Sequence, residues 1–239
     1  MPLNAPTRTK ILEYCDMHLA RDKKWFNDQF DFIPDTALRD RLGLEFYSVR
    51  YLYKLGEALA VTEERTHAHA KFQITQYASI YEAVIVDLLW NKYATHPAVV
   101  EIDTHSTFRK VATLPGTVKL TTAGGEKIHW CVEKKEKTSI MSIKFDDKVD
   151  ASVAIGFINK VLGEEIKEFY KLRNAMHIDT AVKRQVKYEL SQAKLAYRRM
   201  RPFIAGVKGF LAKGKLPSNA SPQHQSMKET APQPIISSG

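Results

Sequence analysis

Cysteine is scarce in this chain. Cys15 and Cys131 are the only two, and neither belongs to a CxxC or Cys/His pattern. A disulfide framework and a cysteine zinc site are thereby excluded, and two reduced thiols in a cytoplasmic protein are expected. Long apolar runs are missing as well. The longest candidate, Ala83 to Trp90, is interrupted by Asp87 and falls far short of the ~20 apolar residues of a membrane span. The opening MPLNAPTRTK holds no apolar stretch that would serve as a signal peptide. GxSxG, HExxH and Walker patterns are absent, and Gly124-Gly125 is too short for a phosphate loop. His67 and His69 lie two apart, a spacing that does not share one helix face, and no acidic cluster nearby completes a metal site. They read as a solvent-exposed pair, and neither metal nor cofactor is expected. Acidic residues are also in short supply, 27 against 36 Lys and Arg, for a formal net charge of +9. Such a balance favours a polyanionic partner without choosing between nucleic acid and an anionic surface.

What is present is helical periodicity. Hydrophobic residues make up 44% of the 239 residues, enough for a sizeable core. Ile11, Leu12, Cys15 and Leu19 recur at helical spacing. Asp35 is placed to cap a helix carrying Leu42, Phe46, Val49 and Leu52. A long helix is predicted over Ala68 to Tyr93, with Phe72, Tyr77, Ile80, Tyr81, Val84, Ile85, Leu88 and Leu89 at i, i+3, i+4 steps. The period then changes. Thr117–Thr121 and Lys127–Val132 alternate as half-buried strands do, joined by a turn at Ala123–Glu126, and Ser139–Phe145 reads as a third strand. The run at 133–137, Glu-Lys-Lys-Glu-Lys, reads as a solvated turn. Helical spacing returns with a helix capped by Asp150 and carried through Val153, Phe157, Val161 and Leu162, which Gly163 interrupts or ends. A helix through Ile166, Tyr170, Arg173 and His177 follows, and another from Ala181 to Leu211 that Pro202 should kink or break. The segment from Gly214 is rich in Ser, Pro, Gln and Lys, a composition that predicts disorder. The expected fold is therefore mainly α: a helical bundle over residues 1–212 with a small antiparallel β hairpin or sheet inserted at about 107–146, and a disordered C-terminal tail over 213–239.

One short string carries chemistry, Arg173-Asn174-Ala175-Met176-His177. Residues four apart on a helix are neighbours, about 5–6 Å between Cβ atoms. Ile166, Tyr170, Arg173 and His177 form one stripe beside the apolar Phe169, Leu172 and Met176. A guanidinium offers a planar fork suited to phosphate. An imidazole titrates near neutral pH and can both take and give a proton. Together they suit phosphodiester cleavage in RNA without a metal, His177 as general acid/base, Arg173 as phosphate stabiliser and Asn174 orienting. The competing reading is structural: the pair complements a helix end or meets a buried acid, with Glu82 and Asp87 on the long apolar helix the obvious partners. Beyond the string the chain is strongly basic. Lys183, Arg184, Lys187, Lys194, Arg198, Arg199 and Arg201 are candidates for nucleic-acid phosphates. Tyr188 and Tyr197 are candidates for stacking on unpaired bases, though at this spacing they also suit a core.

The string Lys-Leu-Arg-Asn-Ala-Met-His-Ile, late in a helical chain, resembles the end of HEPN domains, and the resemblance covers residues 64–212. HEPN domains are helical bundles, many of them metal-independent ribonucleases, whose signature is an arginine, often followed by a polar residue, with a histidine a few positions on. Arg173 matches the arginine, Asn174 the polar follower and His177 the histidine. The family usually places four to six residues between arginine and histidine, and this chain has three. The resemblance implies an endoribonuclease that cleaves RNA by 2′-hydroxyl attack and leaves a cyclic phosphate. It further implies a homodimer in which two copies of the motif face each other, and a role as a toxin or in phage defence. The rival expectation is a non-catalytic nucleic-acid-binding subunit, or a protein-interaction module whose sheet edge meets a protein partner.

Overall fold

The densest apolar stretch of the sequence becomes the axis of the fold. The computed structural model describes residues 2–19, 22–62, 64–111 and 121–214. In chain order the helices are α1 (Ala5–Leu19), α2 (Lys23–Asp28), α3 (Thr36–Ala58), α4 (Glu64–Asp87), α5 (Pro97–Ile102), α6 (Phe145–Ile155), α7 (Lys160–Asn174), α8 (Ile178–Lys183) and α9 (Leu190–Lys213). Two strands, β1 (Thr104–Lys110) and β2 (Cys131–Lys137), form an antiparallel hairpin between α5 and α6.

Helix α4 is apolar on most sides from Tyr77 onward, the pattern of a helix surrounded by others. Tyr77, Ile80, Tyr81, Val84 and Ile85 are all buried, and α4 packs against α3, α7 and α9. Tyr81 donates its hydroxyl proton to the Ala196 carbonyl at 2.8 Å, tying α4 to α9 inside the core. At its end the helix widens into a π-turn over Leu88–Lys92, closed by the Tyr93 N–H on the Leu88 carbonyl at 3.0 Å. Helices α1 and α2 pack on α3. As expected, the Asp35 carboxylate caps α3 by accepting from the N–H groups of Ala37 and Leu38.

The bundle with a small hairpin insertion is the expected class, but the hairpin lies elsewhere along the chain. Residues 133–137 are not a turn; they form most of β2, with Lys134 opposite Thr107 and Glu133 opposite Phe108. Lys127–Val132 is largely outside the ladder, which begins at Cys131, and a lone bridge joins Thr121 to Lys127. The proposed strand Thr117–Thr121 lies outside the described residues save Thr121 itself, as does nearly all of the tail expected to be disordered. Ser139–Phe145 is not a strand: Ile140–Ser142 is a 3₁₀ turn and Phe145 opens α6. Alternation failed as a guide because β1 and β2 are exposed almost throughout, so no buried face imposed a period of two on them.

The helices after the hairpin also have other limits. Asp150 lies inside α6 and pairs with Lys167 of α7 at 2.6 Å. Helix α6 stops at Gly156, whose φ of +100° favours glycine. Gly163 does not end a helix. It sits within α7 where α6 approaches so closely that a Cβ would meet Val153 Cγ2 at 2.9 Å. The predicted helix from Ala181 is two helices, α8 and α9, separated at 184–189, and α9 restarts on a capping box of Glu189 and Gln192. It runs through Pro202 without a break, and Pro202 is exposed.

Burial raises the phenol pKa of Tyr77 and lifts that of Tyr81 well above the ordinary value; the nearby Arg50 charge offsets part of the effect at Tyr77. The unfolded chain releases these protons near pH ~10 while the folded chain keeps them, so the folded state binds more protons and stability falls as pH rises through that window. Urea unfolding followed from neutral to strongly alkaline pH is expected to show a midpoint that declines above pH ~10, and a Tyr81→Phe variant to show a shallower decline.

Candidate functional site at the end of helix α7

Helix α7 carries its charged stripe as far as Arg173 and no further. The expectation that Arg173 and His177 share one helix face is overturned: α7 ends at Asn174, and His177 is the residue preceding α8. No glycine or proline marks the break. Ala175 is fully buried there, and its N–H closes the last turn on the Lys171 and Leu172 carbonyls. Lys71 of α4 donates to the Met176 carbonyl at 3.0 Å, satisfying a group the helix leaves open. A contact between residues 105 apart in sequence thus turns the chain, which periodicity has no means to register.

Arg173 meets the acid named from the sequence. Its Nη1 lies 2.7 Å from Glu82 Oε2, with about a quarter of each side chain still exposed (29% and 24%). Tyr170 donates to the other oxygen of Glu82 at 3.1 Å, and the guanidinium lies 5.0 Å from the Tyr170 ring centroid. That ring stacks in turn on Phe145 of α6 at 4.0 Å. Burial, then the Glu82 charge, raise the Tyr170 phenol above its usual range. A fourth member was not legible in the sequence. Lys148 of α6 is 4% exposed; burial lowers its pKa and the Glu82 charge works against that lowering. Its signal was weak, a lysine in the acidic run Phe145–Asp150 that falls on the buried face of α6. Glu82 therefore holds one cation and a phenol, both from α7, and its charge reaches the buried Lys148 of α6, whose Nζ lies 5.8 Å from the Trp90 ring centroid.

Asn174 and His177 are both exposed, and the His177 side chain makes no capping bond to α8. On one side of His177 is Met176, held by Lys71; on the other is Ile178, a wall of a groove of 420 Å³. His67, Lys71, Lys187 and Tyr188 also line it, and no acidic side chain does. His67 is exposed and packs its ring edge against Tyr188 at 5.3 Å, whereas His69 is half-buried, so the two are not an equivalent exposed pair. Tyr188 is buried and donates to the Leu172 carbonyl at 2.9 Å, which makes it a wall of the groove and not a stacking platform.

The basic residues named as candidates for phosphate contact are divided. Lys183 pairs with Asp179 at 2.8 Å. Arg184, Lys187 and Lys194 are exposed and carry no ion pair among the described residues. Arg199 is taken by Glu165 of α7 through Nε at 2.6 Å and Nη2 at 2.7 Å. Arg198 and Arg201 face a separate cleft between α2, α3 and α9. Among the described residues no cluster of His, Cys, Asp and Glu is arranged to hold a metal ion, and no helix is long and apolar enough to cross a membrane. No protein-family model matches the chain, and neither a curated protein nor a solved structure does.

Replacing Glu82 by Gln removes the charge while keeping the shape. The expected cost is about 1–3 kcal/mol, for a charged hydrogen bond lost and a guanidinium left unpaired. In the same variant the Tyr170 phenol should titrate lower yet stay above an ordinary tyrosine, because burial remains, and Lys148 should titrate lower still. Urea unfolding and side-chain NMR titration measure both. An unchanged Tyr170 would contradict the arrangement.

Proposed function

We propose that this protein is a metal-independent endoribonuclease of HEPN type, with its reacting groups at the junction of α7 and α8. The observation that carries this reading is the position of His177: exposed, free of capping duty, and next in sequence to Ile178, which lines a groove that also offers Lys71, Lys187 and His67 and no carboxylate. RNA phosphates are drawn to such a groove by charge. The imidazole accepts the 2′-hydroxyl proton or protonates the departing 5′-oxygen. Arg173, oriented by Glu82 and Tyr170, stabilises charge building on the phosphate, and Asn174 positions the strand.

A second copy completes the site in this proposal. Ile178 and Val182, one turn apart on α8 beside His177, are 81% and 70% exposed. Apolar side chains so placed support a homodimer contact that brings a second motif to the groove. A toxin or phage-defence role is the biological setting that the HEPN resemblance suggests.

A non-catalytic RNA-binding role is favoured by one observation, the engagement of Arg173 with Glu82 at 2.7 Å, which commits part of the guanidinium fork to the protein itself.

Purified protein is expected to cleave single-stranded RNA without added metal. His177→Ala should lower cleavage by about 10²-fold or more, the range of a lost general acid/base, with unfolding unchanged because the side chain is exposed. Lys187→Ala should weaken RNA binding and reduce its salt dependence. Equal cleavage by the wild type and His177→Ala would reject the assignment. Binding without cleavage by the wild type would establish the non-catalytic role.

A further inference from the structure

A second cationic site lies away from the α7 end, in a cleft of 720 Å³ between α2, α3 and α9. Arg50 of α3 and Arg198 and Arg201 of α9 line it, with Trp25, Tyr197 and Gln29, and none of its lining residues is acidic. Arg198 and Arg201 are three apart and so share a helix face. The intervening Arg199 points to Glu165 and is neutralised there. Among the described residues no ion pair engages Arg50, Arg198 or Arg201. Three arginines thus line one cleft and no carboxylate of that lining offsets them, although the Arg50 charge also acts on Glu57 outside it.

The aromatic part is organised too. The Arg50 guanidinium carbon lies over the Tyr197 ring, 3.9 Å from its centroid, a cation–π distance that holds the two groups together. Trp25 forms another wall, packed edge-on against Phe26 at 4.9 Å. A cleft of this size suits a small ligand. Planar guanidinium forks match phosphate oxygens two at a time, and aromatic and guanidinium planes accept a flat ring.

We propose that this cleft binds a nucleotide: the phosphate on Arg198 and Arg201, the base against the Arg50–Tyr197 stack and Trp25. The chemistry is the same for a free nucleotide and for an unpaired nucleotide of an RNA strand. No residue of the cleft belongs to the α7 end, so the proposal holds whether or not that end cuts RNA.

Calorimetric titration of the full chain at low salt tests it. The probes are ATP, pyrophosphate, and a short single-stranded RNA made uncleavable by 2′-O-methylation. ATP or the RNA is expected to bind, and Arg198→Ala and Arg201→Ala each to raise Kd about tenfold or more, as for a lost charged hydrogen bond. Arg109→Ala removes the same charge on the exposed hairpin and should stay within about twofold. Arg50→Lys keeps charge but not the planar stack, and should weaken ATP and RNA more than pyrophosphate. Tight ATP binding marks a free nucleotide as the ligand; binding by RNA alone marks a strand. Both Arg198 and Arg201 are exposed, so thermal unfolding is expected to be unchanged in their variants. The proposal is overturned if neither ATP nor RNA binds, if Arg109→Ala weakens binding as much as Arg198→Ala, or if pyrophosphate matches both base-bearing probes.

Discussion

The carboxylate of Glu82 is the constraint on which the candidate site depends. It projects from the most buried helix, and a charge in that position needs partners. Arg173 and Tyr170 supply them from α7, and Lys148 of α6 senses the same charge. One acid thus fixes the rotation of α7 against α4 and sets where the chain emerges at Asn174. The Lys71 bond to Met176 acts on the next residues in the same way. Between them, these two α4 side chains hold Arg173 against α4, partly exposed, and leave Asn174 and His177 exposed.

The same principle sorts the remaining positive charge. Arg199 and Lys167 meet carboxylates of neighbouring helices and serve the bundle. Lys183 meets an acid of its own short helix. Among the described residues, two cavities are lined by cations and by no carboxylate, the groove that Ile178, Lys71 and Lys187 line and the cleft at Arg50, Arg198 and Arg201. A net charge of +9 says only that a polyanion is welcome somewhere on the surface. The ion pairs subtract the structural cations and leave the positions where an anion gains most. Surface pairs contribute little energy, but they identify which side chains are already occupied.

Much of the fold was legible. The buried positions of α4 obeyed the i, i+3, i+4 rule, Asp35 capped where an aspartate before a helix should, and Glu82 was a named partner for Arg173. Elements escaped the sequence where local pattern and tertiary environment disagree. Strand β2 is Cys131–Lys137, a run of alternating charge that looks like a turn because neither face is buried. The end of α7 has no breaker residue; a buried Ala175 and a lysine from α4 stop it. Gly163 looked like a stop and is instead a point of close helix contact. Arg50 and Trp25 gave no signal at all, since only the folded chain brings them to the cleft that Arg198 and Arg201 line.

In the proposed reaction the RNA 2′-hydroxyl is the nucleophile, activated at His177 with Arg173 held by Glu82. The most direct measurement is cleavage of a single-stranded RNA compared with the same strand carrying a 2′-deoxy substitution at the mapped cut site, with product ends identified by mass spectrometry. The account predicts a 2′,3′-cyclic phosphate on the upstream product and no cleavage at the substituted position. Cleavage at the deoxy position, or an upstream product ending in a free 3′-hydroxyl, would contradict it.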